Sequence, residues 1–383
     1  MKPLKIVTII GARPQIIKAA ALSRAISTHY KELITEIIVH TGQHYDENMS
    51  NVFFDELDIP RPHYNLNVGS ASHGVQTARM IEGIETILIT EKPNFLVVYG
   101  DTNSTLAGAI AAAKLHIKIV HIEAGLRSFN KSMPEEINRI LCDHCSSLLF
   151  SPTATGYNNL INEGFDTATS QPATADHPAI FHCGDIMYDN SLYFADLAES
   201  KIDYLAKLGI TDQDFILCTI HRDNNTDQPE RLNAIFSALN NITSEMQLSV
   251  ILPLHPRTSK LLQQNLTPAL YETIQNNPLI KILPPASFLE MILLEKRASM
   301  IITDSGGVQK EAYFFQKPCI ILRQETEWTE IVEAQAAVLA DASESKILEA
   351  ARNFRQFPPQ QYPTLFGDGQ AAVFIASRML SFA

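Results

Sequence analysis

The chain has 383 residues, 45% of them hydrophobic, enough to bury the cores of two or three ordinary domains. Its formal net charge of −12 argues against a nucleic-acid surface. No apolar run reaches the ~20 residues of a membrane span, and no basic-then-apolar leader opens the chain, so a soluble cytoplasmic protein with no membrane contact is expected.

The first predicted unit is a strand, Leu4–Ile10, followed by Gly11-Ala-Arg13-Pro14 and a helix to about His29. Pro14 suits the first helical position, where its missing N–H costs nothing. Arg13 and Lys18 then stand near the carboxyl end of the strand, which is either an anion-binding position or a solvated basic helix start. A second strand, Glu36–His40, leads into Thr41-Gly-Gln-His44 and a helix around Asn48–Leu57. A helix near His73–Thr90 precedes a strand at Phe95–Tyr99, which runs into Gly100-Asp101-Thr-Asn-Ser-Thr105. Asp101 and Ser104 read as a helix cap and its neighbour, and small residues in the helix Leu106–Leu115 let it lie close to its sheet.

The apolar run Ile117–Ile122 reads as a buried parallel strand, and charge gathers directly after it: Glu123, Arg127, Lys131, Glu135, Glu136 and Arg139. In open α/β sheets such loops carry the ligand site, so carboxylates and arginines here suggest acid/base work beside an anion. A second reading stays open. Ser132-Met-Pro-Glu135 has the form of a capping box, Glu136 could face the helix dipole, and Arg139 could pair with either acid. Five cysteines fit a reducing compartment. Cys142 and Cys145 lie in a helical pattern, Glu136–Ser146, with no second pair, so they read as structural and no metal site is expected.

A short strand at Leu148–Phe150 and a surface excursion over Asp166–Pro178 lead to a strand at Ile180–Cys183. The second half repeats the alternation. Phe215–Thr219 ends at His221-Arg222, a helix spans Pro229–Ile242, and Leu248–Leu252 ends near His255. Ile280–Leu283 and Met300–Ile302 are further strands, the latter opening into Asp304-Ser305-Gly306-Gly307 and a helix from about Val308. Cys319–Leu322 ends at Arg323, Val338–Ala340 is the last strand, and Phe366 to the end reads as one helix packing back on the first domain. The pattern predicts an α/β protein of two doubly wound, Rossmann-like domains, 1–185 and 186–365, with 366–383 as the returning helix.

Paired glycines after a strand let backbone approach a ligand, and the following helix N-terminus faces a phosphate. Glu311, one turn on, would repel phosphate but could accept two ribose hydroxyls. With Arg222, His255 and Arg323 at neighbouring strand ends, an anionic substrate held between the two domains is the expectation.

Taken together, these segments resemble the non-hydrolysing UDP-N-acetylglucosamine 2-epimerases. The matching pieces are Gly11-Ala-Arg-Pro-Gln-Ile-Ile-Lys18, Thr41-Gly-Gln-His44, Gly100-Asp-Thr-Asn-Ser-Thr105, Glu123-Ala-Gly-Leu-Arg127, Pro134-Glu-Glu-Ile-Asn-Arg139, His221-Arg222, Asp304-Ser-Gly-Gly-Val-Gln-Lys-Glu311 and Arg323 through Glu330. They run in the family's order along almost the whole chain. The resemblance implies a glycosyltransferase-like (GT-B) pair of domains, a UDP-sugar substrate, no cofactor and a homodimer. It also implies roles: Asp101, Glu123, Glu135 and His221 as the acid/base group, Arg13 and Lys18 as substrate and phosphate contacts, Ser305 and Gly306 as the diphosphate cradle, and Glu311 as the ribose ligand. His44, Arg139, Arg222, His255, Gly307 and Arg323 complete the expected substrate contacts.

Four departures bear on the substrate. Gln15 stands where many members have Glu, Asp223-Asn-Asn225 and Glu325-Thr-Glu-Trp-Thr-Glu330 replace commoner patterns, and Asp46 is unlike the second glutamine of activator-dependent members. The Ser-Phe-Asn, Met-Pro-Glu-Glu and Glu-Thr-Glu-Trp surroundings look more like the branch acting on UDP-2,3-diacetamido-2,3-dideoxy-glucuronate. The implied reaction is elimination of UDP to a 2-acetamidoglucal and re-addition, with the proton returned to the opposite face of C2. A glycosyltransferase, a hydrolysing epimerase and a silent UDP-sugar sensor are the competing classes; the first shares the cradle but does not need four converging acid/base groups.

Overall fold

The computed structural model describes residues 3–43, 59–167, 172–211 and 213–383. His44, Asp46 and the helix expected around Asn48–Leu57 lie outside them. The chain divides into two compact units, one running to Asn190 and resuming over Thr364–Ala383, the other spanning Ser191–Pro363.

The first unit contains β1 (Leu4–Ile10), α1 (Arg13–His29), β2 (Ile34–His40), β3 (Tyr64–Asn65), α2 (His73–Glu91), β4 (Phe95–Tyr99), α3 (Asn103–Lys114), β5 (Lys118–Ile122), α4 (Pro134–Cys145), β6 (Leu148–Ser151), α5 (Ala154–Asn162) and β7 (Ala179–His182); α6 (Ile186–Ala198) leads out of it. All seven strands pair in parallel, in the order β3-β2-β1-β4-β5-β6-β7. The central strands read as continuous apolar runs because helices cover both faces: Ile6, Val7, Ile9, Leu96, Val97 and Val98 are wholly buried. Helix α3 lies close on β1 and β4 because Gly108 faces them, and a Cβ there would come within 3.1 Å of Val98 Cγ1 and 3.2 Å of Ile9 Cγ1. The order reverses between β1 and β4, so the carboxyl ends of these two strands flank the switch point where ligands bind in such sheets.

The second unit contains α7 (Ile202–Leu208), β8 (Phe215–Thr219), α8 (Asp223–Thr226), α9 (Pro229–Met246), β9 (Ser249–Pro253), α10 (Pro256–Asn265), α11 (Pro268–Asn276), β10 (Ile280–Leu283), α12 (Phe288–Arg297), β11 (Met300–Thr303), α13 (Gly306–Phe314), β12 (Cys319–Ile321), α14 (Thr329–Glu333), β13 (Ala337–Leu339) and α15 (Glu344–Gln356). Its six parallel strands run β10-β9-β8-β11-β12-β13, the same winding with its switch point between β8 and β11. Phe236, Leu239, Val250, Leu252, Ile302 and Ile320 form part of one core between α9, α15 and the sheet.

The chain then returns to the first unit as α16 (Ala371–Ser381), which packs on α1. The helix starts at Ala371 rather than Phe366, because Gly367 and Gly369, both at positive φ, turn the chain before it. Its first N–H groups are capped from a distance, Ala371 and Ala372 donating to the Asp189 carboxylate at 3.1 and 2.8 Å.

Two local expectations are corrected. Thr102, not Asp101, caps α3, its hydroxyl accepting from Thr105 N. The Ser132 capping box does not form: α4 starts at Pro134 behind Met133, and the Ser132 hydroxyl donates to Asn130 Oδ1 instead. Helix α5 was not foreseen; it is set by the Thr153 cap on Gly156 N and by Leu160 in the core.

Candidate active site

At the switch point of the first unit, the β1–α1 turn is held by a buried glutamine. Gln15 Oε1 accepts from Gly11 N and Ala12 N, while Nε2 donates to Tyr99 O and to Thr105 Oγ1, both at 3.0 Å. The amide thus ties β1, β4 and α3 together with every polar atom used. Thr41 and Gln43 join the same corner, both hydrogen-bonded to the Ser104 hydroxyl.

Lys18, one turn into α1, forms a close ion pair with Glu123 at the end of β5, and both side chains are nearly buried. Glu123 sits at φ +76, a left-handed conformation that costs a non-glycine residue about 1–3 kcal/mol. Gly100, at φ +62, makes room for the pair: a Cβ there would be 3.0 Å from Glu123 Oε2 and 3.2 Å from Lys18 Nζ. Beside it, the half-buried Asp101 accepts from Arg139 Nη2 at 2.5 Å. Burial lifts the Asp101 carboxyl above its ordinary value; Arg139 and Lys18 pull it back and Glu123 pushes it up again.

Of the two adjacent acids of α4, the second is the one inside. Glu136 is 1% exposed and accepts from Ser128 N, Ser128 Oγ and Phe129 N at 2.8–3.0 Å. Burial works against its charge, but these donors outweigh it and hold the carboxyl below its ordinary value. Arg139 bridges Glu136, at 3.3 Å, to Asp101. Through Glu136 the loop is pinned with Phe129 80% exposed and at φ +56. Glu135 is exposed on the first turn and makes no hydrogen bond or ion pair among the described residues. Arg13 is exposed at the first turn of α1.

Beneath these loops lies a buried network that sequence reasoning missed. His121 joins Asp143 Oδ1 at 2.6 Å through Nδ1 and the Gly100 carbonyl at 2.8 Å through Nε2. Asp143 Oδ2 accepts from Gly125 N at 3.1 Å and from Arg127 Nη1 at 2.8 Å, and Arg127 continues to Glu163. A signal was present: Glu136, Arg139 and Asp143 recur at helical spacing, a charged stripe that a surface helix does not need on its inner face.

In the second unit the switch point carries different groups. Asp304, fully buried at the end of β11, accepts from His221 N, Arg222 N and Asn225 Nδ2, and meets His221 Nδ1 at 3.0 Å. Burial raises this carboxyl, but His221 and the other donors outweigh it and leave it below its ordinary value. Asp304 was a motif residue with no assigned role; it sets the ring of the exposed His221 and the turn that carries Arg222. Ser305 caps α13, its hydroxyl accepting from Val308 N, so the free N–H groups of Gly306 and Gly307 open the helix. Glu327 lies close over Gly306, where a Cβ would come 2.3 Å from its Oε1. Glu327 pairs with Arg323 at 2.8 Å, and Trp328, which covers Lys310 at 4.2 Å, donates from Nε1 to Gly306 O. The Glu-Thr-Glu-Trp departure therefore packs directly on the Ser-Gly-Gly turn. Glu311 stands half-buried one turn on, with Glu295 buried near it on α12. His255 is exposed and caps α10 through Nδ1.

The first unit thus offers paired carboxylates and cations suited to moving a proton, and the second offers backbone donors and cations suited to an anion. A profile of the family described as UDP-N-acetylglucosamine 2-epimerase matches residues 27–380. The chain is 48% identical to the UDP-2,3-diacetamido-2,3-dideoxy-D-glucuronate 2-epimerase of Pseudomonas aeruginosa, over 97% of this chain and 98% of that one. It is 42% identical to a UDP-N-acetylglucosamine 2-epimerase of Methanococcus maripaludis, over 97% of each. The solved UDP-GlcNAc 2-epimerase of Methanocaldococcus jannaschii superposes with a TM-score of 0.86 at 40% identity, covering 99% of this chain and 100% of that one. A second structure of that enzyme, in complex with UDP-GlcNAc and UDP, gives a TM-score of 0.79 over the same coverage.

Proposed function

The chain belongs to the UDP-N-acetylglucosamine 2-epimerase family, and from that premise we propose that it interconverts UDP-N-acetylglucosamine and UDP-N-acetylmannosamine without net hydrolysis. The observation that carries the mechanism is the pair of carboxylates, Glu123 on strained backbone and Asp101 with its carboxyl raised by burial, each held by its own cation.

The C2–H bond of the sugar has no adjacent carbonyl, so direct deprotonation is prohibitive. Departure of UDP first builds positive charge at C1 and makes C2–H acidic. The C1–O bond then breaks, its electron pair leaving with UDP, and the C2–H pair becomes the C1–C2 double bond of the glycal. Return of the proton to the other face of C2, with re-addition of the UDP oxygen at C1, completes the inversion. Asp101, Glu123, Glu135 and His221 serve the proton steps, with Lys18 against Glu123 and Arg139 against Asp101 holding the two acids in place. Ser305, Gly306 and Gly307 hold the diphosphate by backbone donors, with Arg13, Arg222, His255 and Arg323 contributing charge, and Glu311 takes the ribose hydroxyls. His44 joins the substrate contacts. We take the enzyme to be a cytoplasmic homodimer that supplies a sugar for polysaccharide synthesis; no helix among the described residues is long and apolar enough to cross a membrane.

Incubation with the UDP-sugar in D2O tests this reading. The expected result is an epimer carrying deuterium at C2 with no accumulation of free sugar; full retention of the original hydrogen would sink the elimination route. One observation favours a second substrate. Identity is 48% to the diacetamido-glucuronate enzyme against 42% to the UDP-N-acetylglucosamine enzyme, and the Glu-Thr-Glu-Trp segment is packed on the cradle. Side-by-side kcat/KM on the two sugars decides between them: a hundredfold preference for the uronate, on the order of 3 kcal/mol, would replace UDP-N-acetylglucosamine as the substrate.

A further inference from the structure

The elimination leaves His121 and Asp143 without a part, yet their hydrogen bonds end on the backbone that carries the acids. His121 is the fourth residue of β5 and wholly buried. Its two nitrogens meet two acceptors, the Asp143 carboxylate and the Gly100 carbonyl. A neutral imidazole has one N–H and a carbonyl cannot donate, so both contacts require the imidazolium. Desolvation opposes that charge, but Cys142 and Asp143 beside the ring outweigh it and raise the pKa well above its ordinary value. The group then closes electrically, buried His121 and Arg127 against buried Asp143 and the exposed Glu163. The network bonds to Gly100 O and Gly125 N, on the two turns beside Glu123, whose φ of +76 is strained for a non-glycine residue.

We propose that His121 and Asp143 are positioning residues for the epimerisation: bonded to Gly100 O and Gly125 N, the pair locks the turn carrying Asp101 and the turn carrying Glu123 in one mutual geometry. The inference rests on the assignment of Asp101 and Glu123 to proton transfer. The imidazolium donates to the carbonyl one residue before Asp101, and the carboxylate accepts from the amide two residues after Glu123. Neither residue touches the substrate; both act through the two acids.

The experiment uses the full-length enzyme with Asp143→Asn, which keeps the shape and removes the charge, and His121→Gln, which keeps one donor. Steady-state kinetics, UDP binding by calorimetry and the circular dichroism spectrum are read for each. The expected result is a fall in kcat of about 10²-fold, from a displacement of the acids on the ångström scale, with KM and UDP affinity changed only a few-fold. In an Asp101→Asn background the Asp143→Asn change should add little, because residues acting as a unit are not additive. Glu163→Gln, at the outer end of the network, should leave kcat within a few-fold. If Asp143→Asn does not fold, His121→Gln is read in the same way. Variants that fold and keep near-normal kcat, or losses that add in full to Asp101→Asn, overturn the inference. If Asp101→Asn and Glu123→Gln themselves leave turnover near normal, the acid/base reading has failed instead; if they abolish it while the pair's variants do not slow it, the positioning inference alone is wrong.

Discussion

Asp101 and Asp304 occupy equivalent places, each just past the strand that flanks the switch point of its own sheet, β4 in one unit and β11 in the other. They are driven in opposite directions. Asp304 has four donors around it and its carboxyl lies below the ordinary range; Asp101 has Arg139 as its side-chain partner and burial raises it. Hydrogen bonds to the charged form make one carboxylate an anchor, and desolvation leaves the other able to exchange a proton. The same winding thus presents a proton-transfer corner in the first unit and an anion cradle made mainly of backbone in the second.

The largest break in that comparison comes from the acids. Asp101→Asn and Glu123→Gln should each lower kcat by about 10³-fold, within the range for loss of a general acid or base, while UDP binding stays within a few-fold. Turnover close to wild type in both would end the site assignment. A smaller loss, about 10²-fold in kcat, is expected for Gly100→Ala, because its Cβ would strain a turn at φ +62 and press on the Glu123–Lys18 pair. An active Gly100→Ala enzyme would show that this close approach has no bearing on the chemistry. In the second unit, Ser305→Ala and Glu311→Ala should weaken UDP by about 1–3 kcal/mol, the loss for a buried hydrogen bond, as read by calorimetry. An unchanged affinity in both would remove the cradle.

The winding of both sheets was legible because strands covered on two faces must be apolar throughout, as in Leu4–Ile10 and Phe95–Tyr99. Lys18, Glu123, Asp101 and Arg139 were legible as charges past strand ends. Which acid of Glu135-Glu136 turns inward was not, because that depends on α4 starting at Pro134 without a Ser132 cap, a one-turn choice fixed by the tertiary bonds of Ser128 and Phe129. The His121–Asp143 link spans 22 residues and appears only once α4 lies over β5. Gln15 was visible only as a departure; the structure gives its amide four partners, one of them the Tyr99 carbonyl, an acceptor that a carboxylate would repel.

The smallest expected effect separates burial from function. Asp189 resembles Asp101 in one respect, since burial raises its carboxyl, here to about 6. Asp185 and Asp368 add to the rise, and the N–H groups of Ala371 and Ala372 oppose it. Its task differs, because it caps α16 and stands apart from every group assigned to the reaction. Between its ordinary 3.8 and about 6 the folded chain holds this proton more tightly than the unfolded chain does. Stability from this group is therefore highest at the acid side of that window and falls as pH rises through it. Asp189→Asn keeps an acceptor for the helix and removes the titration. The wild type should lose more thermal stability than the variant between about pH 4 and pH 6, by on the order of 1 kcal/mol once partial exposure is discounted. At neutral pH the variant should be no less stable, and kcat and KM should not change. A fall in kcat like that of Asp101→Asn would mean that a raised carboxyl alone, wherever it lies in the first unit, governs turnover, and the contrast between Asp101 and Asp304 would lose its meaning.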